Sequence, residues 1–298
     1  MTPRAQMRML PDGRRLHLQD GPIDLIVEAF GAAAEVEVAY RAACARFVSI
    51  LDELCSELKF LRQECCRDAE WPRGSVARRM VAAVMPYVSE CFITPMAAVA
   101  GAVAEEILAT MVGAADLSRA YVNNGGDIAL HLTASEKFVV GMIERPDRLA
   151  LFGTLAIGAD NPARGIATSG WRGRSFSLGI ADAVTVLADR AAAADAAATI
   201  IANAVDLPGH PAIVRVPACE LAPDSDLGAR SVTQGVGTLT EAEVSRALAG
   251  GVQTAGRLRR MGLVRAAALN LCGETRLVGA DRVAQLSSDV HERSLVHA

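Results

Sequence analysis

The run Ala183-Val184-Thr185-Val186-Leu187-Ala188, followed two residues later by Ala191-Ala192-Ala193-Ala194-Asp195-Ala196-Ala197-Ala198-Thr199, decides how this chain folds. The first part is apolar and β-branched, the composition of a buried strand. The second is mostly alanine, the strongest helix former, and a helix is predicted over 191–205. A strand feeding directly into a helix points to helices packed on a sheet, an α+β body. Only two oxygen-bearing side chains interrupt the nine alanine-rich residues. Asp195 and Thr199 stand at i and i+4, so both project from one helix face with Cβ atoms roughly 5–6 Å apart. A carboxylate and a hydroxyl at that spacing suit Mg²⁺, which takes oxygen ligands and keeps places for phosphate oxygens. A solvated aspartate beside a packing threonine is the plainer alternative.

Two upstream segments place glycine and small polar residues where a packed strand would not. Tyr121-Val122-Asn123-Asn124-Gly125-Gly126-Asp127-Ile128 puts paired glycines after a strand. Such glycines admit positive φ and close approach of a ligand, and exposed amides there can cradle an anion. A tight β-turn alone would explain them too. Gly165-Ile166-Ala167-Thr168-Ser169-Gly170-Trp171-Arg172-Gly173-Arg174 combines two hydroxyls, flexible glycines and two guanidinium groups. That set suits phosphate or pyrophosphate, and a solvated basic loop equally fits the pattern.

Around these segments the rest of the chain reads as follows. A β-hairpin is predicted over 16–29 about Asp20-Gly21-Pro22, and one long amphipathic helix over 35–62. Further helices are predicted over 76–87 and from Pro95 to about Met111, the latter behind a Thr94 cap. Strands are predicted over 120–122, 128–132, 138–143, 149–157, 165–168 and 212–216. Thr240 and Glu243 make a capping box for a helix ending near Met261-Gly262. No repeat of 20–50 residues and no separating linker is visible, so the 298 residues read as one compact unit, 1–298.

Composition narrows the function classes. A net charge of −4 gives no electrostatic footprint for nucleic acid or an anionic membrane. The apolar stretch 80–111 is interrupted by Glu90, Glu105 and Glu106, so no membrane span is expected. The first twenty residues lack an apolar signal region, and seven cysteines without a C-x-x-C suit a reducing cytoplasm. Arg78 and Arg79 could clamp a phosphate or simply face water. His131 lies in an alternating strand, where a structural role is expected. Ser175 and Ser177 have no identifiable base, and catalytic residues stay unassigned.

Taken in order, the segments resemble the ApbE family of Mg²⁺-dependent flavin transferases that bind FAD. The family's V-N-x-G-G-[DN]-I turn, S-V-A-T-S-G segment, S-V-T-V-x-A strand and A-D-A-x-x-T helix correspond to 122–128, 165–170, 183–188 and 194–199. The resemblance covers roughly 92–205. It implies a duplicated tunnelling-fold-like α+β architecture, with Asp195 and Thr199 as side-chain metal ligands. Asn123, Asn124, Gly125, Gly126 and Asp127 would lie along the bound flavin nucleotide, FAD or FMN, together with Thr168, Ser169 and Gly170. Two family segments are altered. A-K-G-Y-A corresponds to Val99-Ala100-Gly101-Ala102, which has no lysine. H-x-I-x-D-P-x-T-G corresponds to the span 175–182, which lacks the histidine and proline, with Asp182 in the place of the aspartate. The altered segments, with 10–18 and 76–80, resemble an uncharacterised ApbE-related family of bacteria and methanogenic archaea. The resemblance therefore does not carry ordinary flavin transfer. It leaves three alternatives: metal-assisted transfer or hydrolysis at a phosphate, a non-catalytic flavin-binding module, or an enzyme of cofactor or one-carbon metabolism. The region after Val205 either completes the pocket or forms the interface of a homo-oligomer.

Overall fold

Gly21, at φ +56°, turns the chain between β2 (Leu16–Asp20) and β3 (Ile23–Gly31), the expected first hairpin, to which β1 (Gln6–Met9) adds at the outer edge. This computed structural model describes residues 4–68, 70–145, 148–279 and 295–297. After β3 the chain forms α1 (Ala33–Ser56), a single turn α2 (Leu58–Leu61) and α3 (Ser75–Val84). The expected long helix thus breaks at Glu57, whose carboxylate accepts from the N–H groups of Arg73 and Gly74 ahead of α3. A 3₁₀ turn at Pro95–Ala98 leads into α4 (Val99–Ala114), which delivers the chain to the antiparallel strands β4 (Leu117–Asn124) and β5 (Asp127–Leu132).

The second half repeats the plan. After a hairpin of β6 (Lys137–Arg145) and β7 (Arg148–Gly158) come β8 (Gly165–Ser169) and β9 (Ala183–Ala188). Next are α5 (Ala191–Ala204), β10 (Ile213–Pro217), the turn α6 (Ala218–Leu221) and β11 (Ser231–Val236). Then follow α7 (Glu241–Arg260), β12 (Ala266–Leu271) and β13 (Glu274–Val278). A short β14 (Leu295–His297) runs parallel to β6.

Nine strands form one sheet in the order β1-β2-β3-β4-β5-β8-β9-β12-β13, and every neighbouring pair is antiparallel. Two β-β-α-α-β-β units therefore lie side by side: β2 to β5 with α1 and α4, and β8 to β13 with α5 and α7. They join through the β5–β8 pair. This is the α+β class expected, with its duplication visible in the strand order.

Strand alternation sends side chains to two cores. Leu18, Leu25, Val27, Val122, Ala129, Val184, Val186, Leu269 and Leu271 face the helices. Tyr121, Ile128, Leu130, Ile166 and Leu187 face the other way, where Phe138, Val140 and Ile157 of the β6–β7 hairpin cover them. The segment Pro95–Ala114 is long and apolar enough to cross a membrane by composition, yet it is a core helix here. Val103, Ile107 and Met111 have no exposed surface, and Glu106 is held by Arg46, Arg79 and Ser75.

Candidate functional site

The β4–β5 hairpin closes on Asn124 and Asp127 as facing partners, with Gly125 and Gly126 between them at φ +65° and +112°. Both conformations exclude ordinary side chains, which is why two glycines stand there. Asn123 Oδ1 accepts from the Gly126 N–H at 2.8 Å and stiffens the turn from behind. The buried Asn124 donates through Nδ2 to the Ala100 carbonyl at 3.2 Å, tying the turn to the start of α4.

The start of α4 presents N–H groups with no partner inside the helix. The expected Thr94 cap does not supply one: Thr94 donates its hydroxyl to Asp226 Oδ2, and the helix begins four residues later than a Thr94 cap would place it. Asp195 supplies it from α5, its Oδ2 accepting from the Gly101 N–H at 3.0 Å. Glu105 of α4 returns the contact, its Oε1 accepting from Ala192 N–H at 2.8 Å in the first turn of α5. The two helices cap each other. Gly101 makes this approach feasible, since a Cβ there would overlap the Ala191 carbonyl.

These elements surround a cavity of about 470 Å³. Nine of the ten residues singled out in the sequence border it: Asn124, Gly125, Gly126, Asp127, Thr168, Ser169, Gly170, Asp195 and Thr199. Asn123 is the exception, since it supports the turn and does not line the cavity. Thr168 borders the cavity while its hydroxyl pairs with Thr185 Oγ1 at 2.9 Å and its N–H donates to Asp127 Oδ1 at 3.2 Å. Its place is to aim Asp127.

The electrostatics centre on two carboxylates brought from distant parts of the chain. Burial pushes the Asp195 carboxyl up to about 7, against the pull of the Gly101 and Ala100 N–H groups. Burial raises Asp127 well above the usual carboxylate range, and the charge of Asp195 adds to it. The Thr168 N–H and the Arg174 guanidinium pull Asp127 the other way. Arg174 rests directly on the glycine turn, where a Cβ at Gly125 would overlap its Nη2. Arg172 is already engaged: its Nε donates to Asp182 Oδ1 at 2.6 Å, and its guanidinium stacks on Trp171. Of the two arginines in that loop, Arg174 is the one at the cavity.

Among the described residues no group of three or more His, Cys, Asp or Glu side chains gathers around a metal position. Two repelling carboxylates beside a hydroxyl, with the rest of the shell left to water and ligand, nevertheless match how Mg²⁺ is commonly held. A divalent cation there would relieve the crowding that raises both carboxyls. The donor set fits the group.

The other candidates resolve into structural roles. Arg79 pairs with Glu105 and Glu106, and Arg78 lies over Trp71, so neither forms a phosphate clamp. His131 bonds to the Leu117 carbonyl. Asp182 is buried, accepting from Trp171, Arg172 and the Cys272 N–H, and it does not reach the cavity. The region after Val205 does reach it: residues 222–227 form one wall, pinned by Thr94–Asp226 and by the Arg62–Asp224 ion pair at 2.8 Å. Asn203 also borders the cavity, one turn beyond Thr199. The sequence held a signal for Asn203, since 195, 199 and 203 share a helix face. It held none for the 222–227 wall.

A family model described as "AbpE bacteria" matches residues 7–277. The chain belongs to this family. It is 41% identical over 124 residues to a UPF0280 protein of Methanopyrus kandleri, which is 41% of this chain and 48% of the relative. It is 35% identical over 177 residues to a UPF0280 protein of Methanosarcina barkeri, covering 59% and 64% of the two chains. The matched region thus spans about half the length of the first of these relatives. Among solved structures, the flavin transferase ApbE from Vibrio cholerae superposes with a TM-score of 0.51 at 10% identity. That superposition covers 92% of this chain and 97% of the other. At that identity the likeness establishes the ApbE-type fold.

Proposed function

We propose that the cavity binds a phosphate-bearing flavin, FAD or FMN, or a related nucleotide, through a Mg²⁺ held by Asp195, Asp127 and Thr199. The observation that carries this reading is that Asp127 and Asp195, from distant parts of the chain, line one cavity with Thr199 and act on each other electrostatically. Burial holds both carboxyls toward the neutral form, and a divalent cation would favour their charged forms and draw in a phosphate beside them. The glycine turn and Arg174 then sit where a phosphate would meet backbone amides and a guanidinium. When bound, Mg²⁺ would neutralise phosphate charge and polarise a phosphoryl oxygen. Seven free cysteines suit a reducing cytoplasm for such a protein.

A non-catalytic binding module is the second reading, and Asp182 favours it. The residue in the place of the family's aspartate is sequestered by Arg172, Trp171 and Cys272, away from the cavity. No lysine stands at 99–102.

Thermal-shift titrations with FAD, FMN and ATP, each with Mg²⁺ and with EDTA, test the binding claim. A ligand at about a hundred times its Kd stabilises by roughly 2.7 kcal/mol, a shift of several degrees. Stabilisation by FAD or FMN that needs Mg²⁺ and disappears in Asp195→Ala supports the reading. Indifference to every flavin removes the flavin from it. Chromatography for FMN and AMP released from FAD then separates an enzyme from a binding module.

A further inference from the structure

Asp195, Thr199 and Asn203 form a polar stripe along one face of α5, and all three border the cavity. At 1.5 Å per residue, Asn203 lies about 12 Å along the helix from Asp195. That is comparable to the reach from the phosphate of a mononucleotide to its ring. Gly125, Gly126 and Arg174 line the cavity, as do the apolar Ile93, Met96, Phe176, Leu178 and Ile200, and Leu178 lies directly beside Asn203.

The orientation of the Asn203 amide is fixed. Its Oδ1 accepts from the Leu178 backbone N–H at 3.0 Å and from the Ser177 hydroxyl at 3.3 Å. The Ser177 hydroxyl is itself oriented, because it accepts from the Gly179 N–H at 3.2 Å. Rotating the amide by a half turn would press its NH₂ against the Leu178 N–H, two donors facing each other, so one assignment survives. Nδ2 is the edge left over, and among the described residues it has no acceptor. A side chain so locked presents a donor at little further cost in rotamer freedom when a ligand arrives.

We propose that Asn203 is the ring-reading residue of this cavity, donating through Nδ2 to a carbonyl oxygen on a flat heteroaromatic ring held among the apolar walls. The ligand class is then a phosphate ester whose ring carries a carbonyl acceptor, such as a flavin or a uracil, in preference to an adenine. This inference rests on the proposed Mg²⁺–phosphate site and adds the specificity of its other end.

The test compares Kd values for FMN, UMP and AMP in the presence of Mg²⁺, for wild type, Asn203→Asp and Asn203→Leu. All three ligands carry a phosphate, and AMP alone lacks a ring carbonyl. Asn203→Asp keeps the oxygen that accepts from Leu178 and Ser177 and removes only the donor, so the loop stays anchored. Wild type is expected to prefer a carbonyl ligand to AMP. FMN bound more tightly than UMP assigns the ring as a flavin, and the reverse order as a pyrimidine. In Asn203→Asp the preference over AMP should shrink by about tenfold or more, the cost of leaving one buried acceptor unpaired. The ratio cancels the effect of the added charge on the three phosphates, and its effect on the ring is separated by the uncharged Asn203→Leu. Asn203→Leu should shrink the ratio as well, with no change of charge. A wild type that prefers AMP, or a ratio unchanged in both variants, overturns the ring-reading role and leaves the phosphate site standing. A wild type that binds none of the three overturns both.

Discussion

The two β-β-α-α-β-β units share a plan and use it differently. In the first, α1 packs Phe47, Ile50 and Leu54 against the sheet, large side chains with little or no exposed surface. In the second, α5 meets the sheet and α4 through alanine at 191, 192, 194, 196, 197, 198 and 202. A helix of small side chains lies close to its neighbours, and its polar residues Asp195, Thr199 and Asn203 are half-buried at the cavity. That closeness lets Asp195 cap α4 and face Asp127 from the other unit. The first unit uses its volume to build a core, and the second is thinned so that a cavity opens at their junction.

The largest effect that separates the two units should come from the carboxylate pair. The folded-state value of Asp195 lies above that of an ordinary carboxylate, so its contribution to stability is full below about pH 4 and is lost as pH rises through about 7. In EDTA, Asp195→Asn should therefore melt above wild type at pH 8, by an amount on the order of 3 kcal/mol. The gap should close toward pH 5, and Mg²⁺ should narrow it by stabilising wild type alone. Melting curves at four pH values read this directly, and a pH-independent gap would show that the pair is not buried together.

Next in size is the contact of α4 with α5. Gly101→Ala places a methyl against the Ala191 carbonyl and should destabilise by about 1–3 kcal/mol in urea unfolding. Gly113→Ala, in the same helix with no atom within 4 Å, should stabilise by roughly 0.5–1 kcal/mol. Equal effects at both positions would break the picture of two touching helices. Thr94→Val removes the tether to Asp226 and should cost about 1–2 kcal/mol while exposing the 222–227 wall to proteolysis. Smallest is Thr240→Ala, which removes the capping box of α7 far from the cavity. It should cost about 1 kcal/mol and leave ligand affinity unchanged.

Much of this arrangement was legible in the order of residues, and the gaps have physical reasons. The α5 helix, the glycine turn and the 165–170 segment are local signals, and nine of the ten residues they nominated share one cavity. Strand β12 was missed because Ala266-Ala267-Ala268 has weak strand propensity; it is a strand because β9 and β13 pair with both its edges. Strand β1 was missed because it is fully exposed at the sheet edge, without a buried face to impose alternation. The Thr94 cap failed because its hydroxyl answers to Asp226, 132 residues away. The sequence marks Asp127 only as a turn residue near a ligand, because its opposition to Asp195 depends on two units meeting, which no local pattern encodes. The two arginines at 172 and 174 looked equivalent until Asp182 engaged one of them.

The central claim is that Asp127 and Asp195, one from each unit, hold one divalent cation together. Mn²⁺ binding, followed by electron paramagnetic resonance as free ion disappears, measures this on wild type, Asp127→Asn, Asp195→Asn and the double variant. The account predicts one site in wild type, weakened severely by either single substitution, with little further loss in the double variant. Mn²⁺ bound equally well by wild type and both single variants would contradict it.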